Sequence, residues 1–355
     1  MSWARPAAVL AALLPALAWA DRTVTLVFTG DNAGEVAPCG CQNAPSGGFP
    51  RRKAALEAWR DENVVVLDSG NALFRSVGVD DAPRAALTFG FMERLGTRAM
   101  AVGPKDLSAG VDRLLQLGRG ASMKLLSANL TRGGQPIFAG GAVFQAGEVK
   151  VGVIALTASG RYGDAEAGPV LPAAKAALAA LGPRDVTVVL AAIPYAESLT
   201  LARQLPEVDF ILQSGDARGT GAPQREGDAG PLVLSSAQRG QALGKAVVSL
   251  GSPRSPLVDL TVVARDRQQL AFVDGQVGTL EARAKKAADK QAAREFSGML
   301  RELKQRQATL RASIARVAPP GASTFDFSWT VLSSAWPDDE GWKAEVLKVE
   351  PSYAY

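Results

Sequence analysis

Between Thr23 and about Ala264, short apolar runs rich in β-branched residues alternate with amphipathic ones, and that alternation limits the fold more than any single motif. "TVTLVFT", "NVVVLDSG", "RAMAVGP" and "KLLSANL" read as buried strands. "GGAVFQAGEVKVGVIALT" reads as two strands around a turn at Gly147, and "DVTVVLAAI", "VDFILQSG", "PLVLSSA", "LGKAVVSLG" and "VDLTVVARD" continue the series. Helices are predicted near 51–61, 82–95, 172–181 and 196–204, with another in "DLSAGVDRLLQLG", which opens on an acid and closes on glycine. Strand and helix in alternation give a layered α/β fold, and the strand-rich finish predicts a mixed-sheet sandwich flanked by helices. In such folds sites gather in the loops after the carboxyl ends of strands. Asp31, Asp68 to Asn71, Gly103 to Asp106, Ala191–Ala192 and Gly215 to Arg218 occupy those places.

The chain has 355 residues, 47% hydrophobic and 21% charged, enough to bury a large core. Its net charge of +4 is mild and the basic residues are dispersed, so no nucleic-acid partner is expected. Residues 1–20, "MSWARPAAVLAALLPALAWA", carry an early arginine, an apolar run and a small-x-small site at Ala18–Ala20. That is the pattern of a secretory signal peptide, predicting a periplasmic or secreted product with no membrane span after cleavage.

Histidine is absent, which excludes a Ser-His-Asp triad and any imidazole-held zinc site. The only two cysteines are one residue apart, in Pro38-Cys39-Gly40-Cys41. Cys39 and Cys41 are the candidate catalytic residues. In an oxidising compartment such a pair is either an exchangeable disulfide, a soft-metal site suited to copper, or a structural clip. A clip over so short a loop stabilises little. Arg51 and Arg52 follow the glycine pair Gly47–Gly48 as anion-binding candidates, or as a solvated helix start.

After about Gly275 the composition changes. Residues 276–318 are rich in Ala, Lys, Arg, Glu and Gln and predict one long helix or a helical hairpin, ending at Pro319–Gly321. Phe296, Leu300, Leu303, Gln307, Leu310, Ile314 and Val317 make an apolar stripe, to face a partner or to pack on its own domain. The expected organisation is signal peptide 1–20, an α/β domain 21–275, the helical segment 276–318 and a tail 319–355.

The order of motifs resembles the metallophosphoesterase domain of the 5'-nucleotidase and UDP-sugar hydrolase family. The matching segments are Thr29-Gly30-Asp31-Asn32-Ala33-Gly34, Gly47-Gly48-Phe49-Pro50-Arg51, Asp68-Ser69-Gly70-Asn71 and Gly103-Pro104-Lys105-Asp106, with framework segments at Leu125–Leu130, Gly152–Thr157 and Gly240–Lys245. The resemblance implies a site for two divalent metals that turn water into a nucleophile. It also implies that most ligand positions have changed here. Asp31 remains, Ala33, Asn71, Pro104 and Lys105 stand where ligands are expected, and the closing segment aligns with Gly215-Asp216-Ala217-Arg218. Asp31, Asn71, Lys105, Asp106, Asp216 and Arg218 are therefore vestigial metal-site positions, with charged members expected to pair internally. The Pro-Cys-Gly-Cys run is similar to a UDP-sugar-hydrolase-like (seleno)protein branch of the family.

Three readings follow. The first is a thiol-redox or soft-metal protein that has lost phosphatase activity and works with a redox partner. The second is a residual hydrolase that needs a divalent metal held by Asp31, Asn71 and Asp106. The third is a non-catalytic protein whose 276–318 helix docks a protein partner.

Overall fold

The computed structural model describes residues 22–39, 44–60, 63–76, 81–216, 221–227, 230–251, 255–285, 290–315, 318–319 and 321–354. The signal-peptide segment, Cys41 and Arg218 lie outside the described residues.

Two mixed sheets face each other. One runs in the order Val258–Asp259, Thr324–Val331, Ala242–Ser249, Thr23–Thr29, Val64–Asp68, Thr97–Ala101 and Lys124–Leu126. Its last four strands are parallel, while Ala242–Ser249 is antiparallel to Thr23–Thr29, pairing Phe28 with Gly244. The other sheet runs Gln224–Arg225, Leu232–Ser235, Phe210–Ser214, Val186–Ala192, Val149–Thr157 and Gly141–Ala146. Its four inner strands are parallel.

The core lies between the sheets. Alternate residues Val24, Leu26 and Phe28 face Val151, Val153, Val188, Leu190, Phe210 and Leu212, all out of solvent. Period-two alternation sends the intervening residues outward, where helices cover them. Helices α1 (Phe49–Glu57), α2 (Ala82–Arg94) and α3 (Val111–Leu117) cover the first sheet, and α4 (Val170–Ala180) and α5 (Tyr195–Gln204) cover the second.

Three differences from the sequence reading have physical causes. "DLSAGVDRLLQLG" is a 3₁₀ turn, Pro104–Leu107, followed by α3, because Gly110 takes φ 83° and breaks the run. "VDLTVVARD" holds only a short strand, Val258–Asp259. There the Asp259 carboxylate accepts the Thr261 N–H at 2.8 Å and opens helix α6 (Thr261–Lys285), so the helical segment starts well before 276. Helix α7 (Lys290–Ala315) folds back on it; Leu300, Leu303 and Leu310 of the apolar stripe pack on Val273 and Val277. The tail, to which no pattern was assigned, supplies strand Thr324–Val331 beside Ala242–Ser249 and helix α8 (Glu340–Val346), whose Trp342 stacks on Phe91 at 4.4 Å. Among the described residues no helix is long and apolar enough to cross a membrane.

Candidate functional site

The carboxyl ends of the parallel strands in both sheets converge, and their loops are stitched together. Ser214 Oγ donates to the Ser69 carbonyl at 2.5 Å. The Gly215 N–H donates to both carboxylate oxygens of Asp31, at 3.0 and 2.8 Å. Among the described residues, four non-glycine residues have φ in the left-handed region: Asp31, Ala33, Asn71 and Arg239. All four sit here. For Ala33, with no polar side chain to compensate, the conformation costs about 1 kcal/mol. Its N–H bonds the Asn71 carbonyl at 3.0 Å, which holds it there.

Asp31 is almost wholly buried. Burial raises its pKa above 3.8 despite the Gly215 N–H, the Lys105 charge and the Ser236 hydroxyl, which all pull the other way. Asp106 does not open a long helix. Its carboxylate turns inward and accepts the Asn71 N–H at 2.7 Å, the Gly103 N–H at 2.9 Å and the Leu73 N–H at 2.9 Å. Burial still outweighs those donors and pushes its pKa up to about 7. Gly103 is required because a Cβ there would meet Asn71 Oδ1 at 2.5 Å. Asn71 Oδ1 accepts the Lys105 N–H at 3.0 Å and its Nδ2 reaches Ser214 Oγ at 3.5 Å. Asp68 is fully buried, takes Thr29 Oγ1 at 2.5 Å and the Gly70 N–H at 2.8 Å, and has its pKa raised by burial. Asp216 is exposed and stands apart from the cluster. Its carboxylate accepts the Tyr195 N–H at 2.6 Å and caps α5.

The two arginines are held inside the fold. Arg52 is buried, lies 4.2 Å over the Phe49 ring and donates to Asn32 Oδ1 at 2.6 Å; burial lowers its pKa to about 10, with Asp68 the opposing charge. Arg51 bonds the Asp338 carboxylate at 3.1 Å and the Pro45 and Leu332 carbonyls, tying the loop after the first strand to the tail.

Would two divalent cations fit? Their ligands would have to be unprotonated oxygens or imidazoles turned towards a common point. The oxygens of Asp31 and Asp106, and Oδ1 of Asn71, already accept N–H donors, and the Lys105 charge acts on Asp31. Among the described residues no group of three or more acids or cysteines has the arrangement of a metal site. The donor set does not fit a dinuclear centre.

Cys39 lies on the rim of this cluster, half-buried. Its strand Pro38–Cys39 pairs with Ser46–Gly47. Its Sγ is 4.0 Å from the Arg239 carbonyl and 3.6 Å from Gln241 Nε2, and the Arg239 N–H bonds the Asp31 carbonyl at 2.8 Å. The thiol loop is thus one residue removed from the cluster. Burial raises the Cys39 pKa above 9.0, with the Arg239 charge opposing. Neighbouring groups absent from the sequence reading are Glu35, which is buried and paired with Arg239 at 2.7 Å and with Arg75 at 3.5 Å, and Arg239 itself. Only the fold brings these residues together, since Glu35 and Arg239 come from loops at opposite ends of the domain.

No protein-family model matches the sequence, and no curated protein does. Solved structures do. The 5'-nucleotidase precursor of Thermus thermophilus superposes with a TM-score of 0.67 at 21% identity, covering 93% of this chain and 59% of that one. The sulfate thiohydrolase SoxB of the same species, in complex with glycerol, gives 0.61 at 14% identity, over 93% of this chain and 60% of that one. The NAD nucleotidase NadN of Haemophilus influenzae gives 0.55 at 16% identity, over 64% of this chain and 47% of that one. The chain therefore spans about three fifths of the length of the first two, and shares with them a layered α/β fold.

Proposed function

We propose that this is an exported protein on a 5'-nucleotidase-type scaffold, that it has given up phosphatase chemistry with two metals, and that it works through the thiols Cys39 and Cys41. One observation carries the reading. The acids at the former metal positions have their oxygens occupied by backbone N–H groups, while Cys39 stands at the rim with its sulfur hydrogen-bonded only weakly. Sulfur is thus the reactive atom left beside the strand ends. The Pro-Cys-Gly-Cys run belongs to the same reading, as the mark of the UDP-sugar-hydrolase-like branch. A high thiol pKa leaves little thiolate near neutrality but makes that thiolate a strong nucleophile, which suits a slow donor of reducing equivalents better than a fast oxidant.

The test is elemental analysis with free-thiol counting on the purified full chain, repeated after reduction. Exchange with a small disulfide, abolished in Cys39→Ser, is expected. Copper bound in proportion to protein and lost in the same variant would turn the reading to the soft-metal form. Two manganese or zinc ions per chain together with nucleotide hydrolysis, lost in Asp31→Ala, would overturn it.

A further inference from the structure

Helices α6 and α7 lie antiparallel, clasped by the ion pairs Glu281–Lys304 at 2.7 Å and Asp274–Arg311 at 3.6 Å. Along one side of the pair runs an open groove of about 840 Å³. Its α6 wall extends from Ala271 to Arg283, about 18 Å of helix, and its α7 wall from Met299 to Arg306.

Three features of this groove have no use within the arm itself. Among the described residues the two most exposed large hydrophobic side chains are Phe272, at 69%, and Met299, at 54%, and both stand on its walls. Gly275, three residues on from Phe272, also lines the groove and lies inside α6, where glycine weakens a helix relative to alanine. A Cβ there would meet no atom within 4 Å beyond its chain neighbours and its own helix turns, so packing among the described residues does not require the missing side chain. Arg283 and Arg306 make no ion pair with a described residue, and Glu302 is the one acid on the walls.

Charge and shape together select an occupant. Residues 261–318 hold twelve Lys and Arg against six Asp and Glu, a net +6, so with +4 for the whole chain the remaining residues sum to −2. A second copy laying its own arm here would set +6 against +6, and charge opposes that pairing. A bilayer surface takes a continuous apolar face, whereas here Phe272 and Met299 share the walls of a concave groove with Arg283, Glu302 and Arg306. A cleft between two antiparallel helices, left open at a glycine, has the shape that admits a third helix, and unpartnered cations on its walls call for carboxylates on that helix. We propose that the groove receives an acidic amphipathic helix of a protein partner. Its apolar side chains sit between Phe272 and Met299, its backbone comes close at Gly275, and its carboxylates meet Arg283 and Arg306.

The experiment uses the full chain and a fluorescent synthetic helical peptide of about 18 residues, followed by anisotropy. The peptide carries leucines three and four apart on one face and glutamates on the other; a comparison peptide keeps the leucines and replaces the glutamates by lysines. The acidic peptide should bind one per chain, about tenfold or more tighter than the basic one, and weaken as salt is raised. Arg283→Gln and Arg306→Gln should each weaken it about threefold, and Phe272→Ala about tenfold. Gly275→Leu should abolish binding while its melting temperature holds or rises, since leucine is the better helix former and its side chain enters open space. Loss of binding in that variant is then not a folding defect. No binding of the acidic peptide, equal binding of the two peptides, or binding unchanged in Gly275→Leu overturns the assignment. So does self-association of the free chain in sedimentation that Gly275→Leu abolishes, which makes a second copy the occupant. Capture by phosphatidylglycerol vesicles without peptide binding, abolished in Phe272→Ala, overturns it in favour of a lipid contact.

Discussion

The floor of the site and its rim differ in how their polar groups are satisfied. On the floor, Asp31, Asn71 and Asp106 turn their oxygens to backbone N–H groups of Gly215, Lys105, Asn71, Leu73 and Gly103. On the rim, Cys39 is half-buried, and the Arg75 and Arg239 side chains are about half exposed, at 50% and 48%. The loops at the strand ends present buried N–H groups, and each needs an acceptor. Asp31 and Asp106 serve that need. The difference teaches that a buried carboxylate at a strand end is no sign of a metal site by itself; its partners decide.

That contrast can be broken most directly at Asp106. Asp106→Ala leaves three buried N–H groups without an acceptor and should lower unfolding free energy by about 3–5 kcal/mol in urea titration. A loss below about 1 kcal/mol would mean that the floor is not held by this carboxylate. The next effect is in pH. The Asp106 pKa lies at about 7 in the folded chain against an ordinary 3.8, so between those values the folded state holds a proton that the unfolded state has released. Its stability contribution is complete below about pH 4 and is lost as pH rises to about 7. Relative to Asp106→Asn, the unsubstituted protein should therefore lose stability between pH 5 and pH 8, measured by melting at each pH. Asp31→Asn keeps one acceptor oxygen for Gly215 and should cost about 1 kcal/mol in the same titration. Smallest is the rim: Cys39→Ser should change stability by no more than about 0.5 kcal/mol while abolishing thiol exchange. In the intact rim, alkylation of Cys39 by iodoacetamide should go on accelerating past pH 9, because burial holds the thiol protonated. A plateau near neutrality would show an activated thiolate and sharpen the contrast further.

The layered fold was readable in advance because its strands are short, β-branched and separated by glycine-containing turns. Phe28, Val153 and Leu212 announce a two-faced core by period alone. The placement of Asp31, Asn71 and Asp106 at strand ends was readable for the same reason. What they bond was not: Gly215 N–H meets Asp31 across a separation in sequence that no local pattern records. Arg51 and Arg52 read as either an anion site or a solvated helix start, because adjacent cations usually reach solvent. Here Phe49 and Asn32 hold one, while Asp338 and the Leu332 carbonyl hold the other. The start of α6 was hidden by Val262 and Val263, whose branching favours strands until an Asp259 cap decides otherwise. The stretch 324–331 alternates Phe325, Phe327 and Trp329 with polar residues, a strand signal diluted by its aromatic surroundings.

The hairpin α6–α7 leaves and re-enters the sheet at neighbouring steps, since Asp259 is paired with Phe325 and the Leu260 N–H bonds the Phe325 carbonyl at 2.8 Å. Its apolar interior around Val273, Val277 and Leu310 is a cluster distinct from the one between the sheets, and Phe272 on its surface is 69% exposed. It is therefore a cassette fastened at its base, where Thr261 Oγ1 accepts the Phe327 N–H at 2.8 Å, so that a short glycine-serine joint from Asp259 to Thr324 would span the same gap but leave that strand N–H to find another acceptor.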